Sequence, residues 1–177
     1  VLIANTNIIQ GTGDDLSAGE SGEGANAGAK WMVTLKEKVL KYYDILPLQL
    51  DTLKRVGSMV KNPLFRFLER ECSVLSVLLQ RVRGDLKLVL DVCNGEKKST
   101  NYTKSITEPL CAEKVPEHWK KYTIPLSMTA PEWITDFERR VNQVHRLASS
   151  GNQDNAMRSG IWFGGLLAPE AFLIATQ

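Results

Sequence analysis

The sequence predicts an all-α fold: an irregular helical bundle around one long central helix, preceded by a flexible N-terminal segment. Three observations carry this. An apolar stripe with helical spacing runs from Leu64 to Cys93 without a break. Shorter stretches on either side repeat the same period, and helix-stop residues separate them. With 43% hydrophobic residues in 177, the sequence is long and apolar enough for one buried core.

The central helix is the stretch from Asn62 to Gly95. Asn62 is a good N-cap and Pro63 suits the first helical position, where a missing N–H costs nothing. Leu64, Leu68, Cys72, Leu75, Leu79, Val82, Leu86, Val89 and Cys93 then recur at steps of three and four. Phe65, Phe67, Val74, Leu78, Leu88 and Leu90 widen that stripe, so the helix should be covered on more than one side. Gly84 is its weak point, at about 1 kcal/mol against Ala. At about 1.5 Å per residue the rod is roughly 45 Å long. Asn94-Gly95 supplies the left-handed residue that ends such a helix.

The remaining elements follow in order. Residues 1–30 read as a flexible segment: 1–10 are apolar, and 11–29 are Gly, Ser, Ala and acid with almost nothing to bury. Trp31, Leu35, Val39, Tyr42 and Leu46 mark a first amphipathic helix, stopped by Pro47. Leu50, Leu53, Val56 and Val60 suggest a second, short one. After the central helix and a polar break at Gly95–Lys98, Ser99 or Thr100 caps a helix carrying Tyr102, Ile106 and Leu110. Pro109 should kink it or end it near Thr107. Residues 115–128, with two prolines, read as a crossing segment with one helical turn at Pro116–Lys120, anchored by Trp119, Tyr122 and Ile124. Thr129 and Glu132 spell a capping box. The helix behind it shows Trp133, Phe137, Val141, Val144 and Ala148 on one face, with Glu138, Arg139 and Gln143 outside. Ile161, Trp162, Phe163, Leu166, Leu167 and Phe172 then form an apolar edge. Pro169 and Glu170 open a last turn.

Chemistry is harder to find. Net charge is +2, with 22 basic and 20 acidic residues, so neither nucleic acid nor an anionic membrane is expected as a partner. No apolar run is long enough to span a bilayer. Cys72, Cys93 and Cys111 have no CxxC spacing and suggest inert thiols in a reducing compartment. His118 and His145 stand far apart, so no metal site is expected. Neither histidine has an Asp or Ser partner suggested by spacing, and Glu69, Glu71, Glu138, Asp85 and Asp91 read as solvated helix charges. The glycine-rich tract lacks the Gly-Lys-Ser/Thr that a phosphate loop needs. No catalytic, cofactor or metal residue is expected. Phe65, Phe67, Leu79, Trp119, Trp133, Phe137, Trp162 and Phe163 are candidates for structural or interface roles only. Val1 and Gln177 look like cuts from something longer, and no signal peptide is visible.

A resemblance reaches further. NPLFRFLERE, the long helix, KKSTNY, VPEHWKKYTIPLSMTAPEWITDFERRV and GLLAPEAFLIAT follow one another as in the dynein heavy chain family. The match runs from about Trp31 to Thr176 and is narrowest to cytoplasmic dynein heavy chains, in the region after the sixth AAA+ module. It implies that 31–177 is the helical part of a C-terminal domain, ahead of a β-rich half. It also implies a non-catalytic role, packing on the AAA+ ring of the same heavy chain and modulating stability and processivity. The parent would be a minus-end-directed microtubule motor ATPase. Its ATP and Mg²⁺ sit in the ring, and its partners are a second heavy chain, intermediate and light chains, and microtubules. The expected location is the cytoplasm, on the cytoskeleton. Pro109 departs from the family's usual helix interior. The alternative reading of the residues is a free-standing helical adaptor of the cytoskeleton or trafficking machinery; an enzyme with its own site ranks third.

Overall fold

The computed structural model describes residues 22–51, 53–55, 57, 61–122, 127–149 and 160–177. The helices are α1 (Gly22–Ile45), α2 (Pro63–Cys93), α3 (Asn101–Cys111), α4 (Ala130–Ser149) and α5 (Pro169–Ala175). Two 3₁₀ turns, Glu117–Tyr122 and Phe163–Gly165, link them. Among the described residues there is no strand, only one antiparallel bridge between Lys114 and Thr129. The fold is all-α.

The long helix forms because both ends are specified as well as its face. Asn62 accepts from the amides of Leu64 and Phe65, and Gly95 closes the far end at φ 77°. Between them α2 touches α1, α3, α4 and α5. Leu75, Leu79, Val82, Leu86 and Val89 are wholly buried. Thr100 caps α3 through a reciprocal bond with Thr103. Glu132 accepts from both the amide and the hydroxyl of Thr129 at the head of α4, which holds its carboxyl below the ordinary range.

Four local expectations need correction. α1 starts at Gly22, inside the stretch read as a linker; residues 1–21 lie outside the described residues. The second short helix is absent over 50–51 and 53–55, while Val56 and Val60 lie outside the described residues. On either side of Pro47 the carbonyls go to α2 side chains instead. Gln80 donates to Leu48 O, and Arg83 donates to Leu46 O. Third, α3 runs through Pro109 to Cys111. Proline there forgoes one bond, to the Ser105 carbonyl, and the helix closes past it through Ala112 N to Glu108 O. The backbone then reverses at Glu113 (φ 56°), whose carbonyl takes the amide of Ala130. Fourth, Trp31 is half exposed rather than core. Ile124 of the crossing segment lies outside the described residues.

The apolar interior falls into two clusters. The larger joins α1 to α4 through Leu35, Val39, Leu79, Leu86, Trp119 and Trp133. The smaller lies at the start of α2, among Leu64, Phe67, Leu68, Leu147, Leu166 and Phe172.

Leu79 sits at the centre of the larger cluster with no exposed surface. Leu79→Asp should therefore lower the unfolding free energy by about 3–5 kcal/mol, the scale of an unpaired buried charge. Chemical denaturation followed by circular dichroism checks this; an unchanged midpoint would mean the stripe is not the core.

Candidate interaction site

Two polar arrangements organise the surface around the core. The first is a junction at Asp85. Its Oδ1 accepts from the Tyr102 hydroxyl at 2.7 Å, and its Oδ2 from Trp119 Nε1 at 2.7 Å. Oδ2 also lies 2.9 Å from His118 Nε2. Burial, and then the bond to Asp85, push the Tyr102 phenol up to about 12. This overturns the reading of Asp85 as a solvated charge and of His118 as a residue without an acidic partner. An Asp–His pair invites an acid–base interpretation. Here, however, both oxygens are spent on residues that pack. His118 lies 5.6 Å from the Tyr102 ring and edge-on to Trp119. Trp119 continues to Trp133 at 5.4 Å, and Trp133 stacks on Phe137 at 4.9 Å. Among the described residues no three His, Cys, Asp or Glu side chains gather as they would around a metal.

The second arrangement is a C-terminal strap, residues 160–177, held on α2 and α4. Its local shape follows from Gly164 and Gly165. The Trp162 indole folds back over both, so that a Cβ at Gly164 would lie 2.9 Å from Trp162 Nε1. One at Gly165 would collide with the same ring and lie 2.9 Å from Gln143 Nε2. Arg139 and Arg140 of α4 place their guanidinium carbons 5.1 Å from the ring centroid.

Two buried residues clamp the strap's backbone. Gln143 donates to Trp162 O at 2.9 Å and accepts from Trp162 N at 2.8 Å. Glu71 accepts from Leu167 N at 2.9 Å and from Ala168 N at 3.1 Å. The sequence pattern puts both residues in solvent; in the fold they are 6% and 2% exposed. Below the clamps, Phe172 meets Phe67 edge-on at 5.4 Å and Phe163 at 5.5 Å.

The expected apolar edge is therefore partly turned inward, since Leu166 and Phe172 are core. What faces out is Trp162 (37% exposed), Phe163 (43%), Leu173 (52%) and Ile174 (71%). Beside Trp162 lies an open groove of about 380 Å³, lined by Glu138, Arg139, Asn142, Gln143 and Arg146. Of the other sequence candidates, Phe65, Phe67, Leu79, Trp119, Trp133 and Phe137 are all buried, and Phe67 joins Phe163 through the Phe172 ring between them. Leu173 and Ile174 escape a reading of the sequence because their seven-residue helix is too short to show a period. Glu71 and Asp85 carried no local signal, because their partners lie 96–97 and 17–34 residues away and leave no mark in the helical pattern.

The cysteines are all free, and only Cys72 is fully buried. Burial, then the neighbouring Glu71 charge, push its thiol up to about 11, so it is a poor nucleophile. Burial also raises Cys93 and the exposed Cys111.

Fold and strap together define a helical domain with a clamped, apolar C-terminal edge. The protein belongs to the family of the C-terminal domain of dynein heavy chains, whose family model matches residues 2–177. It is 40% identical over 159 residues to a cytoplasmic dynein heavy chain of Drosophila melanogaster, covering 88% of this sequence and 3% of that protein. The corresponding Caenorhabditis elegans protein is 36% identical over 171 residues, covering 97% of this sequence and 4% of the relative. That of Paramecium tetraurelia is 36% identical over 148 residues, covering 84% and 3%. The 177 residues thus span a small fraction of the length of these relatives. No described helix is long and apolar enough to cross a membrane.

Asp85→Ala leaves three donors without their acceptor, two of them on the buried or half-buried rings of Trp119 and His118. It should cost about 2–4 kcal/mol in denaturant titration. A loss below about 0.5 kcal/mol, the size of an exposed substitution, would dismiss the junction.

Glu71 predicts a pH dependence. Burial holds its carboxyl above the ordinary 4.5, against the pull of the Leu167 and Ala168 amides and of Arg70 and Arg140. Folding thus favours the protonated form. That contribution is fully present below the unfolded value and is lost as pH rises through the folded one. The stability advantage of the parent protein over Glu71→Gln should shrink as pH rises above 4.5. An advantage that grows over that range would reverse the sign assigned to Glu71.

Proposed function

We propose that this protein is a non-catalytic brace within a dynein heavy chain: the helical part of its C-terminal domain, packing against the AAA+ ring of the same polypeptide. The observation that carries the reading is the strap. Trp162, Phe163, Leu173 and Ile174 point outward from a backbone pinned by Glu71 and Gln143. Outward apolar residues on a tightly held backbone suit a surface that meets another part of a larger protein. The relatives are named dynein heavy chains and are far longer than these 177 residues.

In this reading the parent is a minus-end-directed microtubule motor of the cytoplasm and cytoskeleton. ATP and Mg²⁺ belong to its ring, and microtubules, a second heavy chain and the intermediate and light chains are met elsewhere on the parent. The described helices bridge ring modules and alter how firmly their motions are coupled, and so ring stability and processivity. ATP hydrolysis needs amides around the phosphates, a lysine on them and a carboxylate on Mg²⁺. The sequence holds no Gly-x-x-x-x-Gly-Lys. The 177 residues alone are expected neither to bind nor to hydrolyse ATP.

The test is a complete heavy chain with Trp162→Ser, Phe163→Ser, Leu173→Ser and Ile174→Ser, residues that contribute nothing to the larger core cluster. The expected result is a lower melting temperature of the ring or a changed run length or stall force, with nucleotide affinity retained. Unchanged melting, run length and stall force would overturn the brace. Calorimetry of the 177-residue protein with Mg-ATP supplies the second arm, where micromolar binding would overturn the non-catalytic reading.

A further inference from the structure

We propose that the strap is a separately releasable unit, and that Glu71 and Gln143 are its two latches. Its helix α5 has seven residues, far too few to be stable alone. The N-cap is Ala168, which has no side-chain oxygen and makes no capping bond. Glu71 instead fixes the backbone that leads into the helix, one carboxylate oxygen to each of the last two amides before Pro169. The order of α5 is therefore borrowed from α2.

At the other end of the strap the same device recurs. The carboxamide of Gln143 pairs with both backbone groups of Trp162, as a neighbouring strand would. Both latches bond the backbone, so they hold the segment whatever its outward side chains are. A longer bond, 3.4 Å from Arg146 to Gly160 O, adds a weaker tether at the head of the strap.

The apolar division runs along the same line. The strap's Leu166 and Phe172 pack with Leu64, Phe67, Leu68 and Leu147, whereas the larger cluster of α1 to α4 takes from the strap only the half-buried Leu167, packed at its margin. Losing the strap would strip the small cluster and leave the buried residues of the large one in place. A segment with few buried apolar contacts and two latches opens at a lower free energy than the body that carries it. Release would remove the outward face of Trp162 and Phe163 and uncover Leu64, Phe67, Leu68 and Leu147. Glu71 and Gln143 are thus positioning residues for that face. The order of opening within these helices is independent of whether they brace a ring, so either proposal can fail without the other.

Hydrogen–deuterium exchange by mass spectrometry on the 177-residue protein tests it. In the parent, peptides from 160–176 should exchange at least tenfold faster than peptides from 75–89 of α2. Glu71→Ala should accelerate the strap at least a further tenfold at 166–175 while 75–89 keeps its parental rate. Gln143→Ala provides an independent variant, expected to act first on 161–165. Glu71→Gln, which retains one acceptor oxygen, should fall between parent and Glu71→Ala. Equal exchange of strap and α2 in the parent would overturn the proposal, because the two would then open as one unit. So would variants that accelerate both regions alike, or that leave the strap at its parental rate.

Discussion

Three buried charges on one helix hold this structure in register. Glu71, Arg83 and Asp85 of α2 are each less than a tenth exposed, and each is committed to a different neighbour. Arg83 donates to Tyr43 O and Leu46 O, the free carbonyls at the end of α1, and lies 4.0 Å from the centroid of the Tyr43 ring. A cation there also meets the negative end of the helix dipole. Asp85 gathers α3 and the crossing segment; Glu71 gathers the strap. The apolar stripe of α2 drives its burial but is nearly direction-free, since a shifted neighbour would bury a similar area. A shift that stranded one of these charges would cost several kcal/mol. Position along α2 is therefore set by polar bonds, and adhesion by the stripe.

The aromatic ladder from Tyr102 to Phe137 shows the same division of labour. Trp119 spends its N–H on Asp85, and the ring is then free to stack. Trp133, next in line, is buried with an indole N–H that has no partner among the described residues. An orphan donor of this kind costs about 1–3 kcal/mol. The ring position that causes it also places Trp133 against both Trp119 and Phe137, where its large apolar area is fully used. Packing wins at this residue.

What can be read from sequence follows from the same distinction. The stripe of α2, its caps, the Thr129 capping box and the face of α4 are visible because period and capping are local properties of sequence. The buried charges are not. A carboxylate on the flank of a helix looks alike whether it meets water or the amides of a segment ninety-six residues later, as Glu71 does. Gln143 is hidden for the same reason, because its partner is a backbone and leaves no mark in the pattern of apolar and polar residues. The coil at 50–51 and 53–55 reads as helix since Leu50 and Leu53 keep a helical interval by chance. Family motifs locate the strap, yet which of its residues turn inward depends on a fold-back of Trp162 onto two glycines.

The strap's construction bears on how a brace of this kind would transmit load. Force applied at Trp162 and Phe163 would reach α4 and α2 through the hydrogen bonds to Gln143 and Glu71 and through the ring contacts to Arg139, Arg140 and, by way of Phe172, Phe67. The two helices answer differently. α4 receives load near its C-terminal half, with Arg139 and Arg140 packed on the same indole. α2 receives it near its N-terminus, while its far half is locked to α1 and α3 by Arg83 and Asp85. Hydrogen bonds are short-ranged, so the two latches hold the strap only while their geometry is intact. The helical body then need not deform for the outward face to be lost.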